Sequence, residues 1–180
     1  MRAIELFAGS GGLAMGTSEA GFAHDAVVEW DRYACDTIRE NQRLSIEPVA
    51  SWPLHETDVR GFDYSFIDSE PDLVAGGPPC QPFSLGGRHR GPSDERDMFP
   101  EMARAVRDLQ PKILIVENVK GLMRRSFSGY FEYIILRLSY PELVLAPGEA
   151  WYEHLARLKS HHVRGKIEDI SYRMSFKLLN

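Results

Sequence analysis

Short apolar runs alternate along the chain with segments whose apolar residues recur every three or four positions, the signature of strands interleaved with amphipathic helices. RAIELF (2–7) reads as a buried strand, followed by the glycine-rich turn AGSGG and a helix from about Leu13 to Ala20. AVVEW (26–30) reads as a second strand, and in the DRYACDTIRENQ that follows Asp31 is the N-cap, with Tyr33, Ala34, Cys35 and Ile38 on one apolar face. SIEPVASWPLHETDVRGFDYSF is broken by Pro48 and Pro53 and leaves room only for a short strand ending near Asp58. DLVAGG (72–77) and KILIVEN (112–118) are apolar runs on either side of a helix whose Met98, Met102, Val106 and Leu109 share a face. Phe131, Ile134, Ile135 and Leu138 mark another helix; Trp151, Leu155 and Leu158 mark one after Pro147-Gly148, and YRMSFKLL (172–179) alternates like a strand.

Strands alternating with helices imply an α/β fold, with a doubly wound, mostly parallel sheet covered on both faces. The 180 residues fit one domain, and no repeat, low-complexity tract or linker divides them. With 43% hydrophobic and 26% charged residues, the composition suggests neither disorder nor a fibrous repeat. Cys35 and Cys80 cannot build a disulfide framework, and neither they nor the six histidines show metal-ligand spacing; His154 and His161 could share a helix face, and His161-His162 read as surface residues. A reducing, cytoplasmic setting is expected. No apolar run reaches membrane-spanning length, and MRAIELF lacks the features of a signal peptide. The net charge of −5 argues against a chain coated in phosphate-binding groups, though a local basic loop could still touch nucleic acid.

Sheets of this kind bind ligands at the carboxyl ends of their strands. The first strand ends in Phe7-Ala8-Gly9-Ser10-Gly11-Gly12, where missing side chains let backbone N–H groups approach a ligand. Its GSGGLA also matches the dinucleotide pattern GxGxxA. Glu29, 17 residues beyond Gly12, stands where an acid would accept hydrogen bonds from a ribose, and Trp30 beside it can stack on a purine. Asp58 is suited to accept from an adenine amino group, with the Val59 backbone at the ring edge. The bland readings are a capping or solvated role for Glu29 and Asp58, and a core role for Trp30. In GGPPCQPFS (76–84), prolines stiffen a turn that carries Cys80 outside any apolar period, where a lowered pKa would make it a nucleophile; Cys35, within a helix, reads as an inert core thiol. Glu117 emerges from KILIV, where poor solvation would favour a hydrogen-donating carboxyl.

FAGSGG, VEWDRYA, TDV, GGPPCQPFS and ENVKGL resemble, in order and spacing, the successive motifs of the cytosine-C5 DNA methyltransferases. The resemblance covers residues 2 to about 122, resumes faintly at YRMSFKLLN, and is most specific in PPCQPFS with ENV 37 residues later. It implies the Rossmann-like fold of S-adenosylmethionine-dependent methyltransferases, that donor as cofactor, and double-stranded DNA as partner. Cys80 would add to carbon 6 of a flipped cytosine while Glu117 holds the ring at N3 and the exocyclic amine. Phe7, Gly9, Ser10, Gly11, Gly12, Glu29, Trp30, Asp58 and Val59 would form the cofactor pocket, and Pro79 and Asn118 would support the Cys80 loop. Ser84, Arg88 and Arg90 would lie on a mobile loop closing over DNA, unless GGRHRG is an ordinary solvated tip. A restriction–modification role is the expected setting.

Residues 1–180 would then be a partial catalytic and cofactor-binding domain, with residues 140–170 an insertion relative to the shortest members. The family's later glutamine-and-arginine motif, target-recognition region and closing helix do not appear before Asn180. The chain would be half of a split enzyme completed by a second polypeptide, a gene remnant or a cloned fragment. In each case it would be inactive alone, with an unpaired last strand and an uncovered apolar face inviting association. A tRNA cytosine-5 methyltransferase, a nicotinamide dehydrogenase using the GxGxxA loop and Glu29, and a non-catalytic partner-binding half are the competing readings.

Overall fold

The computed structural model describes residues 1–68, 70–79, 97–164 and 170–179. Five strands form one parallel sheet: β1 (Arg2–Leu6), β2 (Ala23–Glu29), β3 (Leu54–Glu56), β4 (Leu73–Gly76) and β5 (Ile113–Val116), in the order β3-β2-β1-β4-β5. The helices are α1 (Gly12–Glu19), α2 (Arg32–Arg43), α3 (Phe99–Leu109), α4 (Ser128–Ser139) and α5 (Trp151–Arg164). The chain steps outward from β1 through β2 to β3, then returns to the other side of β1 for β4 and β5. That reversal puts the topological switch point between β1 and β4, where doubly wound sheets leave a crevice beyond the strand ends.

Contacts divide the chain into two compact units, Met1–Pro78 with Asp108–Glu117 and Pro79–Arg107 with Asn118–Asn180. The first holds the whole sheet. Central β1 is buried along Ala3–Leu6 because β2 and β4 satisfy its backbone on both sides, with Leu6 opposite both Val28 and Gly76. Ala8, Ala14, Val27, Ile38, Val49 and Trp52 form one apolar cluster; Ala3, Leu73 and Ala75 form another. Asp31 caps α2 by accepting from the Ala34 N–H at 2.9 Å. Cys35 and Ile38 are the buried face of that helix, and burial pushes the Cys35 thiol up to about 11. Tyr33, expected on this face, is 81% exposed because its position in the first turn points away from the Cys35–Ile38 stripe.

Pro53 does break the third unit, yet its carbonyl accepts from the Val27 N–H at 2.9 Å and leads directly into the three residues of β3. Strand β5 differs from expectation. Its apolar residues are not uniformly buried: Ile113 is 46% and Ile115 40% exposed, because among the described residues β5 pairs only with β4.

In the second unit α4 and α5 are joined by an aromatic cluster. Tyr130 and Tyr133 of α4 meet Trp151, and His154 of α5 lies edge-on to Tyr133. His154 is fully buried and satisfied on both ring nitrogens, Nδ1 at 2.9 Å from the Tyr133 hydroxyl and Nε2 at 2.6 Å from the Leu143 carbonyl. Burial holds its pKa below the ordinary imidazole value. His162, in contrast, is exposed and bonds to the Tyr140 hydroxyl at 2.6 Å.

The strand expected over 172–179 does not form. Tyr172 donates its N–H to the Ser139 carbonyl at 2.9 Å, and Phe176 sets its ring edge-on to Phe131 at 5.0 Å. Tyr172 and Phe176 thus meet α4, and among the described residues no neighbouring ladder makes this segment a strand.

Candidate active site and cofactor pocket

The register of the sheet brings the sequence-selected residues to one edge. Leu6, Val28, Gly76 and Val116 lie at matched levels on β1, β2, β4 and β5, and Glu29 is opposite Glu56 on β3. The segments beginning at Phe7, Trp30, Asp58, Gly77 and Glu117 consequently leave the sheet from the same side.

The turn after β1 is held in an unusual backbone shape. Phe7 has φ +55°, a left-handed conformation that costs a non-glycine residue about 1–3 kcal/mol and persists only where its surroundings impose it. Glu29 supplies the restraint. Its Oε2 accepts from the Gly9 N–H at 2.7 Å, while Oε1 accepts from the N–H groups of Trp30 at 2.8 Å and Asp31 at 2.7 Å. A carboxylate has about four acceptor positions, so three are already used in fixing two loops and one remains for a ligand hydroxyl. Glu29 is 7% exposed, which excludes the solvated reading and adds a loop-fixing role that side-chain spacing did not signal.

Gly11, at φ +95°, is the N-cap of α1, and a Cβ built there would lie 2.5 Å from the Trp52 ring. Trp52 is 4% exposed and anchored by its indole N–H to Ser18 Oγ at 3.1 Å. The turn therefore has a fixed floor. A Cβ on Gly9 or Gly12 would meet nothing within 4 Å, so space stays open over the other backbone positions. Ser10 is exposed between them.

Trp30 is 69% exposed, which removes the core reading and leaves an indole face available for stacking. Val59 is buried at the start of a short 3-10 turn, and Asp58 caps that turn by accepting from the Arg60 N–H at 2.9 Å. Asp58 also grips the Arg60 guanidinium, with Nη2 at 2.5 Å, and this pairing holds its pKa below the usual carboxylate range. The capping role is thus real, and a ligand amine would share Asp58 with Arg60. These residues fit an adenosine-bearing cofactor: an open glycine turn, an acid with one acceptor site left, an exposed indole and a second acid two strands away.

Glu117 follows β5, its N–H bonded to the Gly76 carbonyl at 3.0 Å. Its carboxyl lies over Gly77: a Cβ on that glycine would approach Glu117 Oε2 to 3.2 Å. Glycine at 77 thus leaves room for the carboxyl just three residues before Cys80 in the chain. Glu117 is exposed, so the desolvation expected from the apolar run behind it is not provided by the described residues. Asn118 Oδ1 accepts from the Val119 N–H at 2.9 Å. Pro79 is half-buried at the end of the described segment. Cys80, Ser84, Arg88 and Arg90 lie outside the described residues. No cluster of His, Cys, Asp and Glu suited to a metal occurs among the described residues.

A parallel sheet in this order, with a glycine turn after β1 and an acid after β2, places the chain in the doubly wound class that includes dinucleotide-binding enzymes and S-adenosylmethionine-dependent methyltransferases. Residues 1–140 match the family described as C-5 cytosine-specific DNA methylase, and the chain belongs to that family. It is 42% identical over 131 residues to the Type II methyltransferase M.NgoMIV of Neisseria gonorrhoeae, covering 73% of this chain and 39% of that protein. It is 43% identical over 120 residues to M.PspPI of a Psychrobacter strain, covering 66% of this chain and 27% of that one. The structure of a putative DNA modification methyltransferase encoded within an E. coli prophage superposes with TM-score 0.56 at 31% identity, over 75% of this chain and 36% of the other. A Spodoptera frugiperda DNMT2 mutant matches in fold, with TM-score 0.52, 21% identity and coverage of 77% and 41%. The chain therefore spans well under half the length of these relatives. No helix among the described residues is long and apolar enough to cross a membrane.

Proposed function

We propose that this chain is the cofactor-binding and catalytic-motif portion of a DNA (cytosine-5)-methyltransferase of the restriction–modification type, working in the cytoplasm. The observation that carries the reading is the placement of the Glu117 carboxyl over Gly77, at the same sheet edge as the Glu29-clamped glycine turn. S-adenosylmethionine, the cofactor of this family, supplies an electrophilic methyl group. Its adenosine portion would be held by Trp30 through stacking, by the free acceptor position of Glu29 at the ribose, and by Asp58 and the Val59 backbone at the adenine. Phe7, Gly9, Ser10, Gly11 and Gly12 would line the remainder through their backbone.

Carbon 5 of cytosine is a weak nucleophile, and Cys80 and Glu117 would correct this together. As the Cys80 sulfur bonds to carbon 6, the 5,6 double-bond electrons move to carbon 5, and Glu117 stabilises the ring at N3 and the exocyclic amine. Carbon 5 would then take the methyl group, the electron pair of the broken sulfur–methyl bond staying on sulfur so that the donor leaves as the thioether S-adenosylhomocysteine. Loss of its proton re-forms the double bond and expels the Cys80 thiolate. The ring face is hidden in a duplex, so the base must leave the stack, with Ser84, Arg88 and Arg90 meeting the DNA backbone.

Transfer would require a further segment or second polypeptide carrying target recognition. The chain's coverage of only 27% and 39% of the Type II relatives, together with the half-exposed apolar β5, supports this. The test has two stages. Titration of the purified chain is expected to show binding of S-adenosylmethionine and none of NAD; absence of the first overturns the reading. Labelled methyl transfer is then measured on duplex DNA and on tRNA, with and without the product of the coding sequence downstream. The expected result is transfer to duplex DNA in the combined sample only, abolished by Cys80→Ala. Transfer to tRNA alone would instead favour an RNA enzyme, and unchanged transfer by Cys80→Ala a non-catalytic half.

A further inference from the structure

Besides Arg88 and Arg90, a second set of cations follows Glu117 directly in the chain. Residues 118–131, NVKGLMRRSFSGYF, contain Lys120, Arg124 and Arg125 and no acid. They fold as two consecutive 3-10 turns, Lys120–Met123 and Arg125–Phe127, both packed against α4. Buried Leu122 anchors the first turn, and the Phe127 N–H closes the second on the Arg124 carbonyl at 2.8 Å. Lys120, Arg124 and Arg125 are exposed on the outer side.

Their electrostatic state matters. Many cations of this acidic chain are paired with carboxylates: Arg2 with Asp25, Arg39 with Glu56, Arg60 with Asp58, Lys112 with Asp72 and Arg157 with Glu149, all within 2.7 Å. Lys120, Arg124 and Arg125 have no such partner among the described residues, although they crowd three positive charges into six positions. Like charges fixed this close on a rigid backbone repel one another, a cost that an incoming polyanion removes. Lys120 and Arg124 also border a hollow of about 430 Å³ shared with Gly121, Met123 and Leu178, so the charges flank a concave surface with an apolar floor.

We propose that Lys120, Arg124 and Arg125 form a phosphate-binding ridge for duplex DNA, in addition to the contacts proposed for Arg88 and Arg90. This rests on the methyltransferase reading for the identity of the polyanion. Phosphate contacts of this kind fix register on the duplex and carry no sequence information, so the ridge would serve any target site equally.

The decisive quantity is the salt dependence of DNA binding by the 180-residue chain. Each phosphate neutralised on B-DNA contributes roughly 0.9 to the slope of log affinity against log salt, so three cations contribute about 2.7. The triple variant Lys120→Gln/Arg124→Gln/Arg125→Gln is expected to lower the slope by about that amount, read by fluorescence anisotropy on a labelled duplex. The control Arg32→Gln/Arg39→Gln/Arg43→Gln removes three cations that face carboxylates on or beside α2 and is expected to leave the slope unchanged. Circular dichroism and S-adenosylmethionine titration check that both variants keep their fold and pocket. An unchanged slope in the first variant, an equal drop in the control, or no duplex binding by the parent chain overturns the ridge. A drop confined to a structured RNA probe overturns it in favour of RNA. Failure of the ridge with cofactor binding intact leaves the methyltransferase reading standing, whereas loss of cofactor binding by the parent chain removes that reading on its own.

Discussion

Glu29 illustrates how one side chain can organise a pocket before any ligand arrives. Its three backbone acceptances tie the turn after β1 to the start of α2. Glu29→Gln replaces one acceptor oxygen with an amide donor and leaves at least one buried N–H facing another donor, a loss of about 1–3 kcal/mol. S-adenosylmethionine affinity is expected to fall by about tenfold or more, measured by calorimetry, while the far-ultraviolet spectrum stays unchanged. Gly11→Ala acts on the same turn through sterics. The added methyl would lie 2.5 Å from Trp52 at a backbone φ of +95°, and neither the indole nor the helix start can give way cheaply. Urea unfolding is expected to show a loss of about 1–3 kcal/mol, combining left-handed strain with overpacking. A stability equal to the parent would show that Trp52 swings aside freely.

At the scale of elements, β1 carries a buried acid whose behaviour depends on pH. Glu5 is fully buried, its carboxyl oxygens have no hydrogen-bond partner among the described residues, and His24 Nε2 stands 3.9 Å away. Burial raises its pKa, with His24 offsetting part of the effect. A raised carboxyl pKa means that the fold binds the proton more tightly than the unfolded chain does. Stability is therefore full below the unfolded value near 4.5 and declines as pH rises through the folded one. Glu5→Gln removes that decline: melting temperature at pH 7 is expected to rise by about 2–4 °C for each kcal/mol regained, and at pH 4 to match the parent. Equal effects at both pH values would assign the change to packing. The same strand shows what sequence could reveal. Apolar runs mark β1, β2 and β4 because strands covered on both faces leave few polar positions, β5 carries such a run although Ile113 and Ile115 are half-exposed, and the glycine turn and Asp31 cap are local chemistry. What escaped notice depends on distant partners: His154 is buried because Tyr133 and Leu143 happen to satisfy it, and Trp52 because Gly11 lacks a side chain. Residues 172–179 alternate as a strand would, but period two fixes only which side chains share a face, and here that face meets α4.

For the whole molecule, charge pairing and apolar exposure point in different directions. Ion pairs cover much of the basic surface, yet β5 presents Ile113 and Ile115 half-exposed at a sheet edge. An edge strand offers unpaired N–H and C=O groups, and with apolar side chains on its face it favours pairing with another strand or another chain. Burial of those two isoleucines would contribute roughly 25 cal/mol for each Å² removed from water. The purified chain is expected to self-associate with rising concentration, seen as an increase in sedimentation coefficient. Ile113→Lys/Ile115→Lys should hold it monomeric through charge repulsion at the edge. These positions lie away from the glycine turn and Glu29, so S-adenosylmethionine titration should be unchanged in the variant. Association that persists in the double variant would place the sticky surface elsewhere.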